Sequence, residues 1–306
     1  MKAWFGGLST KRKVLLILAV YFAGVIALAV LVPSQGKNND FQPQNEFKLE
    51  NWIHLKVGPL DMSINRAVLY LFLASGLTIF CMVWISRRMA MKPNKVQTTV
   101  ELAYDLTRNN ITGGNMDGKL AAKWFPFLST LFFFIWFSNI IGYLPLPTNS
   151  AETFNVFGLA IPTFAIYAAT ANISIPLVLA AVVFVAYTFE GIRAKGPVGY
   201  LKSLIPAGVT GAMAGFLFVL ELFSNVMRLM SLSVRLFANI LAGHLIILFM
   251  GGALAVLLGI AALGWITVPL GVALFVFEVC LVAGLQAFIF ATLTAIYLGG
   301  AVAESH

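Results

Sequence analysis

"GAMAGFLFVLELFSNVMRLMSLSVRLFANILAGHLIILFM", residues 211–250, contains only three formal charges: Glu221, Arg228 and Arg235. Built as one helix, such a run is about 60 Å long at 1.5 Å per residue. That is twice the roughly 30 Å of hydrocarbon in a bilayer. Two short spans or one strongly tilted helix would satisfy the length. No polar turn divides the run, so it is read as one tilted helix. Gly264 and Pro269 then mark the break before a second long helix, about 271–300.

The faces of the first helix carry the chemistry. At about 100° per residue, positions 221, 228 and 235 fall within about 40° of one another. Ser231 and Asn239, four residues either side of Arg235, share that face. His244 lies about 180° round and about 13.5 Å further along. An arginine near the middle of a span costs roughly 2.5–3.5 kcal/mol on insertion scales. Glu221 and Arg228 admit two readings, a structural ion pair or a working site. Arg235 has no acid one or two turns away in its own helix, which implies a partner elsewhere. A guanidinium stays charged and cannot relay protons, but it biases the ionisation of a carboxylate that approaches it. His244 reads either as a hydrogen-bonded buried histidine or as part of a proton path. Glu278 and Gln286, eight apart, lie about 80° from one another on the last helix. Gln286 serves either as a structural hydrogen-bond partner or as a functional group.

Outward from this region, composition sets the environment. The chain has 306 residues, 60% hydrophobic and 10% charged, with mean hydropathy +0.90. Soluble domains carry about 25% charge, so this is an all-α, polytopic membrane protein with about six membrane segments. The net charge of +8 does not indicate a nucleic-acid partner, because the basic residues cluster between apolar runs. Cys81 and Cys280 lie in apolar runs without metal-ligand spacing and read as buried hydrophobes. No metal or cofactor site is expected, and with no P-loop or catalytic triad the chain alone should catalyse nothing.

Residues 14–32 form an apolar run behind Lys11, Arg12 and Lys13. It reads as a retained span, a signal peptide being the alternative. Residues 33–66 read as an outer loop, so that 1–66 precede a membrane domain at 67–306. Further spans are expected at 67–85, 124–144 and 161–189, the last kinked at Pro162 or Pro176. An interfacial helix followed by a turn at Gly113 and Gly114 fills 92–123. With the N-terminus inside, the inner segments hold fourteen Lys and Arg and the outer loops four. The positive-inside rule therefore places both termini in the cytoplasm.

"SLSVRLFANILAGH" (231–244), followed by "LQAFIFATLTAIYLG" (285–299), resembles subunit a of the membrane sector of F-type ATP synthases. Ser231, Arg235, Leu236, Asn239 and Gly243 carry the pattern, and "INRAVLYLFL", "VQTTVEL" and "NIIGYLPLP" extend it more weakly across 65–302. The resemblance implies an inner (plasma) membrane stator subunit whose partners are a rotating c-ring, the subunit b peripheral stalk, lipid and protons. Arg235 would face the ring carboxylate, with Asn239 and Gln286 lining the same surface. Glu221 and His244 match polar positions of two aqueous half-channels. Two long, tilted C-terminal helices are the family's fold. The sequence departs from the family at one ionisable position, seven before the glutamine: Val279 stands there, with Glu278 one residue earlier. The run 14–32 is an addition to a five-span pattern. A secondary ion transporter would need inverted repeats, which the sequence lacks, and a membrane assembly factor would not need Arg235.

Overall fold

Apolar runs that must satisfy their own backbone in lipid become helices, and the computed structural model shows them. It describes residues 19–21, 23, 51–54, 56–57, 60–61, 63–88, 94–156, 159–165, 167–205 and 208–303. Most of the 14–32 run and of the 33–66 loop, and with them the span-or-signal question, lie outside the described residues. The helices are α1 (Arg66–Arg88), α2 (Lys95–Asp105), α3 (Gly118–Gly142), α4 (Ser174–Lys195), α5 (Pro197–Ser203), α6 (Ala212–Leu248), α7 (Leu254–Leu258), α8 (Ala261–Phe277) and α9 (Ala283–Val302). Widened π turns occupy Leu106–Gly113, Phe249–Ala253 and Glu278–Val282. Among the described residues, five helices are long and apolar enough to cross a membrane, two of them 40 residues long: Ala212–Gly251 and Leu263–Val302. The protein is thus an all-α, multi-pass membrane protein, carrying small antiparallel strand pairs in its connections.

The chain divides into two compact units, one containing 243–278 and the other containing 49–242 and 279–306. In the larger unit α3 is central and packs against α1 and α9, while α9 also packs on α4. Its core gathers Leu128, Phe132 and Ile135 of α3 with Phe290, Ala291 and Leu298 of α9 and Leu232, Leu236 and Ile240 of α6. Close approach is achieved through small residues. A Cβ on Gly142 would fall 2.4 Å from that of Ala168, and one on Gly299 would fall 2.6 Å from the Asn115 carbonyl. A smaller cluster of Ala67, Tyr70, Ile141 and Tyr167 is capped by Arg66, whose guanidinium lies 4.7 Å from the Tyr167 ring centroid. Burial pushes the Tyr167 phenol up to about 12, and the Arg66 charge pulls it the other way.

In the smaller unit α8 crosses the π turn Phe249–Ala253. A Cβ on Gly271 would meet the backbone of Met250 and Gly251 at 3.0–3.1 Å, so a larger residue there would have to push the two backbones apart by a few tenths of an ångström.

Several expectations need correction. The span expected at 161–189 begins only at Ser174; residues Leu159–Ala165 form a strand paired antiparallel with Leu146–Val156. Hydropathy does not distinguish a strand from a helix within an apolar run. Pro162 lies in that strand, so it kinks no helix, and Pro176 falls in the first turn of α4, where a missing amide costs little. The Asn172 side chain accepts from the Ser174 amide at 3.1 Å and so starts α4. The break between the two long helices falls at Gly259 (φ 68°), while Gly264 and Pro269 sit inside α8. Cys280 is exposed and Cys81 half-buried. In a bilayer the outer surface is apolar too, so an apolar run does not imply an interior position. The 211–250 run is one helix through Leu248, as expected.

Candidate functional site

The site begins with the face of α6 that the core does not take up. Leu232, Ser233, Leu236 and Ile240 are buried at helical spacing, and the opposite side is exposed. Arg235 is exposed there, with Ser231 one turn before it and Asn239 one turn after, both exposed. Ala238 and Ala242 flank it on that face and are also exposed. Among the described residues, no hydrogen bond or ion pair reaches the Arg235 guanidinium. A permanent cation thus stands on an apolar helix face with small neighbours that let a second helix come close.

Glu221 and Arg228 lie nearer the start of the same helix but are half-buried and paired, Arg228 Nη2 donating to Glu221 Oε1 at 3.0 Å. Arg228 Nη1 also donates to Asn225 Oδ1 at 3.4 Å, and the Tyr187 hydroxyl donates to the same oxygen at 3.3 Å. These groups border a cavity of about 450 Å³ that Lys195, Tyr200, Ser203 and Tyr297 also line. Reasoning from the sequence misses Asn225, Tyr187 and Lys195. Asn225 carries a usable signal, standing four residues after Glu221 and three before Arg228, and so on their side of the helix.

In the smaller unit, His244 is 4% exposed. Its neighbour Gly243 lies directly against the carboxylate of Glu278, since a Cβ there would come within 2.6–2.7 Å of Cδ, Oε1 and Oε2. The glycine of the 231–244 pattern is therefore what admits this carboxylate. Among the described residues, no group of three or more metal-ligating side chains occurs.

Gln286 is 4% exposed, on a buried stripe of α9 with Ala283, Ala287 and Phe290. Asn239 is exposed and Gln286 buried, so the chain by itself does not present both side chains on one surface. Nearby, Asn139 of α3 is fully buried, donating through Nδ2 to the Ala283 carbonyl at 3.2 Å and accepting through Oδ1 from the Thr170 hydroxyl at 2.8 Å.

Known proteins resemble this chain over most of its length. The family model described as ATP synthase A chain matches residues 68–299. The ATP synthase subunit a of Rubrobacter xylanophilus is 36% identical over 81% of this chain and 88% of its own. That of Pelagibacter ubique is 32% identical over 86% of this chain and 98% of its own. That of Parvibaculum lavamentivorans is 33% identical over 86% and 94% respectively. With its matched region holding the Arg235 face and the Gly243–Glu278 contact alike, the chain belongs to the ATP synthase A chain family.

Proposed function

We propose that the chain is the ion-translocating stator subunit of an F-type ATP synthase, non-catalytic alone, facing a c-ring and held by a subunit b peripheral stalk. The observation that carries this reading is Arg235, exposed on an apolar face between Ser231 and Asn239. A lipid-facing arginine is costly, whereas one facing a ring carboxylate offsets that cost. Along α6, Arg235 stands about 21 Å from Glu221 and about 13.5 Å from His244. The positive-inside orientation puts the Lys195–Arg228 cavity on the cytoplasmic side of the plasma membrane, so Glu221 serves the inner half-channel and His244 the outer one. A proton entering past His244 and Glu278 neutralises a ring carboxylate, which then passes through lipid uncharged. On its return the carboxylate releases its proton toward Glu221 and is held ionised by Arg235. The fixed charge also blocks passage of a protonated site directly between the half-channels. Each charge moved through 100 mV supplies about 2.3 kcal/mol, so several pass per ATP.

Glu278 takes the ionisable role despite its eight-residue spacing from Gln286. The π turn Glu278–Val282 holds one residue more per turn without adding rotation. The effective separation becomes that of seven α-helical residues, bringing the two within about 20° instead of about 80°. Replacing Arg235 tests the whole reading. Arg235→Ala and Arg235→Lys in membranes containing the assembled complex should lose most proton-driven synthesis, and the alanine variant should add a passive leak. Normal coupling in Arg235→Ala refutes the stator reading.

A further inference from the structure

A π turn is an uncommon interruption of an α-helix and persists where surrounding groups hold it. At its C-terminal end, i→i+5 pairing returns to i→i+4, and two carbonyls converge on one amide. The turn Glu278–Val282 ends at Ala283, the first residue of α9. The Ala283 carbonyl receives the Asn139 amide at 3.2 Å, and Asn139 in turn receives the Thr170 hydroxyl at 2.8 Å. All three residues are 0% exposed. Because a carbonyl only accepts, the orientation of the Asn139 amide is fixed by chemistry: its NH₂ must face Ala283, which leaves its oxygen for Thr170. The network joins α3, the turn Ala169–Ala171 and the start of α9. Small residues let the helices come this close, with a Cβ on Gly284 falling 3.6 Å from Trp136 Nε1. Buried in an apolar bundle, these hydrogen bonds have no water to replace them.

We propose that Asn139, held by Thr170, is a positioning residue for ion translocation: it pins the first peptide after the π turn, and the turn supplies the one-residue offset that places Glu278 on the face of Gln286. The inference rests on the reading of Glu278 as a half-channel group. Without Asn139 the helix relaxes toward continuous α pairing, and Val279 rotates into the position that Glu278 holds.

The test uses the assembled complex in inverted vesicles, with Cys81 and Cys280 replaced by alanine. Single cysteines introduced at Glu278 and Val279 are scored for reactivity with silver ion, with and without Asn139→Leu, which is nearly isosteric. Position 278 should react when Asn139 is present, and reactivity should move to 279 when it is absent. A pattern that Asn139→Leu leaves unchanged, an inert one included, overturns the proposal. In the chain with native Glu278 and Val279, Asn139→Leu should lower proton-driven synthesis about fivefold or more, the weight of one or two buried hydrogen bonds. Deleting Val279 restores a seven-residue spacing in continuous α-helix, and in that background Asn139→Leu should cost less than about twofold. Equal losses in both backgrounds, or failure of the deletion to assemble, would leave Asn139 a packing role only. Should Asn139→Leu itself not assemble, Thr170→Val loosens the same amide and should produce the same shift of label; no shift there overturns the proposal as well. Glu278→Gln separates the two layers. If it keeps full synthesis while the label still moves, the ion-path reading of Glu278 fails and the positioning of the turn stands.

Discussion

At Gly243 a single hydrogen atom in place of a methyl group decides where a carboxylate can rest. Gly243→Ala would put a carbon 2.6 Å from the Glu278 carboxyl group, well inside van der Waals contact, so the carboxylate must leave. We expect an assembled complex with coupled synthesis reduced at least about tenfold, since a small misplacement of an acting group can cost about a hundredfold. Glu278→Asp, one methylene shorter, should recover part of that loss in the double variant. No recovery would show that the glycine is needed for packing of the backbone alone. Arg228 offers a contrast to Arg235. It is paired with Glu221 at 3.0 Å, and the two side chains are 40% and 35% exposed, so the pair contributes little stability. Arg228→Lys keeps the charge and should keep most activity, whereas Arg235→Lys loses the planar fork that meets a carboxylate with two donors. Measured side by side in inverted vesicles, equal losses would deny any difference between the two arginines.

At the scale of elements, helical periodicity alone makes α6 legible in the sequence: the residues it puts on opposite faces, Arg235 and His244, are exposed and buried respectively. That success follows from fixed geometry within one continuous helix. Contacts between elements leave no such period. Asn139 and Ala283 are 144 residues apart, and Lys123 and Glu190 are 67 apart. The π turn at Glu278–Val282 has no composition of its own, so by spacing alone Glu278 looks out of place against Gln286. Hydropathy misplaces the start of α4 because an apolar strand and an apolar helix share one value, and the Asn172 cap that separates them acts through a single hydrogen bond. The Lys123–Glu190 ion pair joins the start of α3 to the end of α4, with the Glu190 side chain 8% exposed. Removing Lys123 leaves a largely buried carboxylate unpaired. Lys123→Ala should therefore destabilise the assembled subunit by about 1–3 kcal/mol, read as earlier thermal aggregation in mild detergent. Adding Glu190→Gln should restore much of the loss, and no restoration would show that the lysine stem packs instead of pairing.

For the whole molecule, the proposed direction of ion flow depends on orientation, because Glu221 serves the inner side only if the segment holding Lys195 is cytoplasmic. The expected orientation follows from the positive-inside rule, with fourteen Lys and Arg in the segments assigned inside against four in those assigned outside. The structure supplies two reporter positions with opposite expected sides. Gly113 ends the π turn that follows α2 and is exposed, ahead of the start of α3 at Gly118. Asn149 lies in the strand Leu146–Val156, which follows the other end of α3. One transmembrane helix of 25 residues separates them, so they must lie on opposite sides if α3 crosses once. A cysteine at Gly113, in a background without Cys81 and Cys280, should react with an impermeant thiol reagent only from the cytoplasmic side. A cysteine at Asn149 should react only from outside, and intact cells compared with inverted vesicles give the two exposures directly. The reverse pattern would exchange the two half-channels, moving Glu221 to the entry side and His244 to the exit. Reaction of both positions from one side would mean that α3 does not cross, and with it the five-helix membrane arrangement would fail. Once the sides are known, a cysteine at His244 should react with silver ion supplied from outside. An inert position 244 in the assembled complex would make this histidine a buried structural group and leave the outer half-channel to other residues.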